Sequence, residues 1–231
     1  MAASVHSRRQ VLGLLGAAAL PKQAIAATLV DLALVLAIDC SYSVDYYEYQ
    51  LQMRGTGQAF LDSKIIEAIS RGPNRKIAVS AFLWSDADEH LVIVPWRIFA
   101  TKSDATEIAD IFLRMPRNVN AGTTATGSAL LFAKDMLDDA PPSLRRVVDV
   151  STDGLCNTGA QVPAARDQLV AAGITINGLA IENEVVDLSS YLSKSVIGGD
   201  GHFVVSANDY EGFAAAIKMK LFREITDLNM S

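Results

Sequence analysis

Histidine is scarce in this 231-residue chain: only His6, His90 and His202 occur, far apart in sequence. A histidine-based catalytic group therefore has no support. Cysteine is scarcer still, with Cys40 and Cys156 alone. Two cysteines without paired histidines argue against a thiolate metal site. Basic clusters are missing from the body of the chain, and the formal charge is −6, which argues against a nucleic-acid partner. No apolar run reaches membrane-spanning length without a polar break. No Gly-x-Ser-x-Gly elbow occurs. Gly122 and Gly127 have phosphate-loop spacing, but Ser128 stands where the lysine is required. Asp39-Cys40-Ser41 lacks the second aspartate of an aspartyl-phosphate phosphatase.

What remains is apolar and ordered. Half of the residues are hydrophobic, enough for a sizeable core and for one domain plus a tail. The first 26 residues stand apart. Ser7-Arg8-Arg9-Gln10-Val11-Leu12 resembles a twin-arginine export motif, a mild apolar stretch runs from Val11 to Leu20, and Ala24-Ile25-Ala26 reads as a small-x-small cleavage site. Residues 1–26 are thus expected to be a removed twin-arginine signal peptide and residues 27–231 the working domain. That route carries folded proteins, so the product is expected in the periplasm or secreted. The segment holds Arg8, Arg9 and Lys22 and no acid, which leaves the body more acidic than the total implies.

The body alternates strands and helices. Strands are expected at Val30–Ile38, Lys76–Trp84, Leu91–Phe99, Arg145–Ser151, Ile174–Ile181 and His202–Ser206. Helices are expected at Asp45–Ser70, Ser103–Arg114, Thr126–Leu137, Val162–Ala172, Asp187–Val196 and Tyr210–Leu221. Residues 85–90 are too few for a crossover helix, so the second and third strands form an antiparallel hairpin, with Pro95 marking an edge. The rest gives an α/β fold: a doubly wound, mostly parallel Rossmann-like sheet of about six strands, one antiparallel edge strand, and helices on both faces. Ligands of such sheets bind beyond the strand carboxyl ends.

Three polar clusters fall at such positions. Asp39-Cys40-Ser41-Tyr42-Ser43 leaves the first strand, Gly122-Thr123-Thr124-Ala125-Thr126-Gly127 opens a helix, and Ser151-Thr152-Asp153-Gly154 ends another strand. Carboxylates and hydroxyls are hard oxygen donors, suited to Mg²⁺, Ca²⁺ or Mn²⁺ rather than to copper or zinc. Taken singly, each has a plainer use: Asp39, Ser41 and Thr124 as helix caps, Asp153-Gly154 as a turn. Their coincidence at strand ends is what points to a metal. In that order the clusters resemble the metal-ion-dependent adhesion site of von Willebrand factor A domains. The resemblance covers residues 27 to about 227. More narrowly, Arg71-Gly72-Pro73, Val94-Pro95-Trp96, residues 145–154 and residues 171–180 are similar to an uncharacterised bacterial family of exported A-domain-like proteins, which brings no established activity.

The resemblance implies that Ser41, Ser43 and Thr124 supply hydroxyls and that Asp39 and Asp153 hold the ion, directly or through water. Thr124 occupies the family threonine position, although Thr123 replaces a glycine beside it. It implies a non-enzymatic adhesion module whose cation grips a carboxylate of a partner protein. The alternative is a metal-dependent hydrolase of phosphate or ester substrates, which needs a base or nucleophile that the sequence does not offer. Around the site, Tyr42 is expected at an exposed rim, Tyr46, Tyr47 and Tyr49 as half-buried helix residues, and Asn157 behind a ligand or in a turn. Asp149 interrupts an apolar strand with no evident partner. Cys40 and Cys156 sit in two of the loops; either they form a disulfide or they stay free thiols.

Overall fold

The computed structural model describes residues 28–226. The expected signal peptide and its cleavage point lie outside them. A six-stranded sheet has the order β3-β2-β1-β4-β5-β6. Its strands are β1 (Val30–Asp39), β2 (Ile77–Trp84), β3 (His90–Phe99), β4 (Ser143–Thr152), β5 (Thr175–Ile181) and β6 (Val204–Ala207). All neighbours are parallel except β2 and β3, which pair antiparallel. The expected fold class is the one observed.

The helices are α1 (Tyr46–Phe60), α2 (Ser63–Ser70), α3 (Lys102–Arg114), α4 (Thr126–Asp138), α5 (Val162–Ala171), α6 (Leu188–Tyr191) and α7 (Phe213–Thr226). Strand β1 is buried along its whole length. Its even-numbered residues Leu32, Leu34, Leu36 and Ile38 enter the core with α1, α2, α3 and α7. Its odd-numbered Ala33, Val35 and Ala37 enter the opposite core with α4, α5 and α6. Alternate side chains point to opposite faces, so a strand covered twice reads as an unbroken apolar run.

Two expected helices differ. The stretch expected as one helix from Asp45 to Ser70 is broken at Leu61–Asp62. The Asp62 carboxylate accepts from Lys64 N at 2.9 Å and starts α2 afresh. An aspartate that caps the next turn competes with continuation of the first helix. The expected helix Asp187–Val196 is a single α turn, α6, followed by a π-helical turn at Leu192–Val196.

The cysteines are free thiols. Cys40 is buried in the core under α1 and α7, whereas Cys156 packs against the core of the other face. The two loops are neighbours, but their thiols belong to opposite layers, so the disulfide is not formed. Asp149 does find a partner. Lys220 of α7 reaches its Oδ1 at 2.6 Å and Glu224 Oε1 at 2.8 Å, with all three side chains buried.

Candidate functional site

Strand order reverses between β1 and β4: the chain winds outward from β1 through β2 and β3, then returns to β4 and winds the other way. That reversal opens a crevice at the strand carboxyl ends. The loops after β1 and β4 meet there.

The capping alternatives are settled by the helices themselves. Helix α1 is capped by Asp45, whose carboxylate accepts from Glu48 N at 2.8 Å while Glu48 accepts from Asp45 N at 2.8 Å. Asp39 and Ser41 are not used there. Helix α4 begins after Ala125 with no side-chain cap, so Thr124 is not used there either.

Ser41, Ser43 and Asp153 are linked side chain to side chain, Asp39 is bonded to the Ser41 backbone, and Thr124 stands beside Gly154. Asp39, fully buried, accepts from Ser41 N at 2.7 Å through Oδ1 and from the Thr152 hydroxyl through Oδ2. Ser41 Oγ lies 3.3 Å from Ser43 Oγ. Ser43 Oγ donates to Asp153 Oδ1 at 2.7 Å across 110 residues of sequence. Tyr210 Oη donates to Asp153 Oδ2 at 3.0 Å. Thr124 is reached from Gly154: a Cβ added to that glycine would lie 3.4 Å from Thr124 Oγ1 and 4.0 Å from Ser43 Oγ. Any side chain there would narrow the space between those two hydroxyls. Asn157 stands behind Thr124, its Oδ1 accepting from Thr124 N at 2.9 Å.

Several groups that hold this arrangement carried no sequence signal. The Arg117 guanidinium donates to the carbonyls of Val44 at 2.6 Å, Cys40 at 2.8 Å and Ser41 at 3.1 Å, pinning the first loop from below. Gln52 Nε2 donates to Asp39 O at 3.2 Å. Thr152 and Tyr210 each hold one carboxylate oxygen. Of the tyrosines, Tyr42 is exposed at the rim as expected, but none of the three expected to be half-buried is so: Tyr49 is buried and Tyr46 and Tyr47 are exposed.

Electrostatically the site is short of positive charge. Burial, and secondarily the charge of Asp153, push Asp39 up to about 7. Burial also raises Asp153, against the hydrogen bonds from Ser43 and Tyr210. Two carboxylates share a desolvated crevice, and neither has a Lys or Arg within ion-pair distance among the described residues. Like charges this close disfavour joint ionisation. The donor set of two carboxylates and three hydroxyls, with a glycine keeping the space open, fits a hard divalent cation.

Solved structures share the fold. The zinc-occupied form of proximal thread matrix protein 1 from the mussel byssus superposes with TM-score 0.60 at 19% identity, covering 86% of this chain and 48% of that one. A von Willebrand factor type A protein from Catenulispora acidiphila gives 0.58 at 20% identity, with 85% and 43% covered. The pilus adhesin SpaC from Lactobacillus rhamnosus GG gives 0.60 at 14% identity, with 86% and 30% covered. The chain thus spans less than half the length of each. At such identities the likeness establishes a von Willebrand factor A-like fold. No curated protein matches in sequence. A family model matches residues 29–229, and the chain therefore belongs to the family described as Protein of unknown function (DUF1194).

Proposed function

We propose that this protein is an exported adhesion-type module in which Asp39, Ser41, Ser43, Thr124 and Asp153 hold a divalent cation that grips a carboxylate of a partner protein. The observation that carries the reading is the Ser43–Asp153 contact at 2.7 Å, which joins the β1 and β4 loops beside a second buried carboxylate. Two acids only balance a divalent charge, and hydroxyls add none. A bound cation in such a set keeps its attraction for one further oxygen donor. Mg²⁺ suits these donors, with Ca²⁺ and Mn²⁺ as alternatives. The zinc in the adhesion-site motif of the mussel protein makes Zn²⁺ a necessary fourth ion to try. An adhesin and a thread matrix protein among the structural neighbours accord with a binding role.

The remaining protein groups keep the site ready rather than react. Arg117 fixes the path of the first loop, Thr152 and Ser41 N orient Asp39, and Tyr210 orients Asp153. The pocket over the hydroxyls is lined by Tyr42, Ser43, Asp86, Gly122, Thr124, Asn157 and Glu184. Its two acids, Asp86 and Glu184, are the only general-base candidates there, and no histidine, lysine or cysteine stands beside them. Export through the twin-arginine route would deliver the module folded.

The test is a thermal-shift titration with Mg²⁺, Mn²⁺, Ca²⁺ and Zn²⁺, run beside the Ser41→Ala/Ser43→Ala double variant. The proposal expects a saturable rise in Tm for the unmutated protein and a much weaker one for the variant. Equal shifts in both, or turnover of generic phosphate or ester substrates by the unmutated protein, would contradict it.

A further inference from the structure

The sheet order sets the exits of β2, β1, β4 and β5 side by side. Four of the five proposed metal ligands, Asp39, Ser41, Ser43 and Asp153, stand at the ends of the two central strands, and Thr124 precedes α4. An acid follows each flanking strand: Asp86 lies two residues past the end of β2, and Glu184 three past the end of β5. Both line one concavity of about 650 Å³ with Tyr42, Ser43, Thr124 and Asn157.

Asp86 is exposed but fixed. The Thr123 hydroxyl donates to its Oδ1, Thr123 N donates to the same oxygen at 2.8 Å, and these bonds hold its carboxyl below the usual range. Glu184 is exposed, and its charge reaches Asp153 and Glu48. Glu48 stands behind it, accepting from Asn183 Nδ2 at 2.8 Å. Neither Asp86 nor Glu184 has a Lys or Arg partner among the described residues. The guanidinium beneath the first loop, Arg117, is engaged with backbone carbonyls. The groove therefore has a cation-seeking acid at each end and the hydroxyl cluster in its middle.

We infer that this groove receives an extended protein segment whose metal-seeking carboxylate is flanked, two residues away on each side, by Lys or Arg. The inference rests on the metal reading above and adds the partner's charge pattern. Its register follows from spacing. Adjacent strands lie about 4.8 Å apart, so the exits of β2 and β5, three spacings apart, are separated by about 14 Å. An extended chain rises about 3.3 Å per residue and turns alternate side chains to one face, so positions i−2, i and i+2 share a face and span about 13 Å. A central acid over the β1–β4 junction then sets its two neighbours over Asp86 and Glu184. Tyr42, 84% exposed between the two serines, offers an aromatic surface along that path. Complementary charge at a rim selects partners and speeds encounter more than it adds affinity.

The probes are three labelled peptides, Gly-Lys-Gly-Asp-Gly-Lys-Gly and its counterparts with Ser or Glu for both Lys, measured by fluorescence anisotropy at low ionic strength with Mg²⁺. The Lys-flanked peptide is expected to bind about tenfold tighter than the Ser-flanked one, two exposed ion pairs supplying the difference, and the Glu-flanked peptide weakest. Glu184→Lys, at an exposed position, is expected to shrink or reverse that order. Equal, Mg²⁺-dependent binding of all three would overturn the charge pattern and leave the metal reading standing. Undetectable binding of every peptide by protein shown calorimetrically to hold Mg²⁺ would overturn the pattern too. Lys-flanked binding that survives chelator, or Asn in place of the peptide's Asp, would overturn both readings.

Discussion

Tyr210 Oη donates to Asp153 Oδ2 at 3.0 Å, tying the approach to α7 to the loop that ends β4. Both groups are buried, so neither finds water as a substitute. Tyr210→Phe removes the donor and leaves that oxygen without it. The expected loss is about 1 kcal/mol of folding stability, measured by urea denaturation in chelator. An unchanged midpoint would show that the bond carries no weight.

The carboxyl pair makes stability depend on pH with a definite sign. Asp39 is raised from 3.8 to about 7, so the folded state binds its proton more tightly than the unfolded chain does. Its contribution is fully present below about pH 4 and is lost as pH rises through about 7. A divalent cation held as proposed would compete with that proton. The rise in Tm produced by Mg²⁺ is therefore expected to be larger at pH 8 than at pH 5. A rise independent of pH would contradict the placement of Asp39 at the cation.

Arg117 is a positioning residue for the first loop. Its guanidinium makes three hydrogen bonds to carbonyls of residues 40, 41 and 44. Arg117→Ala is expected to cost about 2–3 kcal/mol, since charge-assisted bonds are the stronger class. Arg117→Lys should restore little, because one ammonium cannot reproduce the planar fork. Full rescue by Lys in a denaturation series would mean that charge alone matters.

Much of this was legible in the chain. Buried strands announce themselves as apolar runs, and Asp39, Ser41, Ser43 and Asp153 do stand at the ends of β1 and β4, while Thr124 precedes α4. What escaped reading depends on long-range placement. Arg117 acts across more than 70 residues, Thr152 meets Asp39 across 113, and Tyr210 meets Asp153 across 57. The Asp62 break sits inside a stretch whose apolar positions continue on both sides, and only the capping bond reveals it. The choice between a disulfide and free thiols stayed open in the sequence because loop adjacency does not fix the face to which each side chain points.

The buried Lys220 sits between Asp149 and Glu224, and Asn177 Nδ2 donates to Glu224 Oε1 at 2.9 Å. The group anchors α7 to the underside of the sheet. Lys220→Met leaves two acids buried without a cation, and the expected cost is about 3–5 kcal/mol by urea denaturation. A loss below about 1 kcal/mol would show that the acids are held neutral without it.

The most direct measurement is the anomalous scattering of Mn²⁺ in crystals of the protein. The account predicts one strong peak enclosed by Ser41, Ser43, Thr124, Asp39 and Asp153, absent from crystals of Asp153→Asn. A peak elsewhere on the molecule, or none at saturating Mn²⁺, would contradict it.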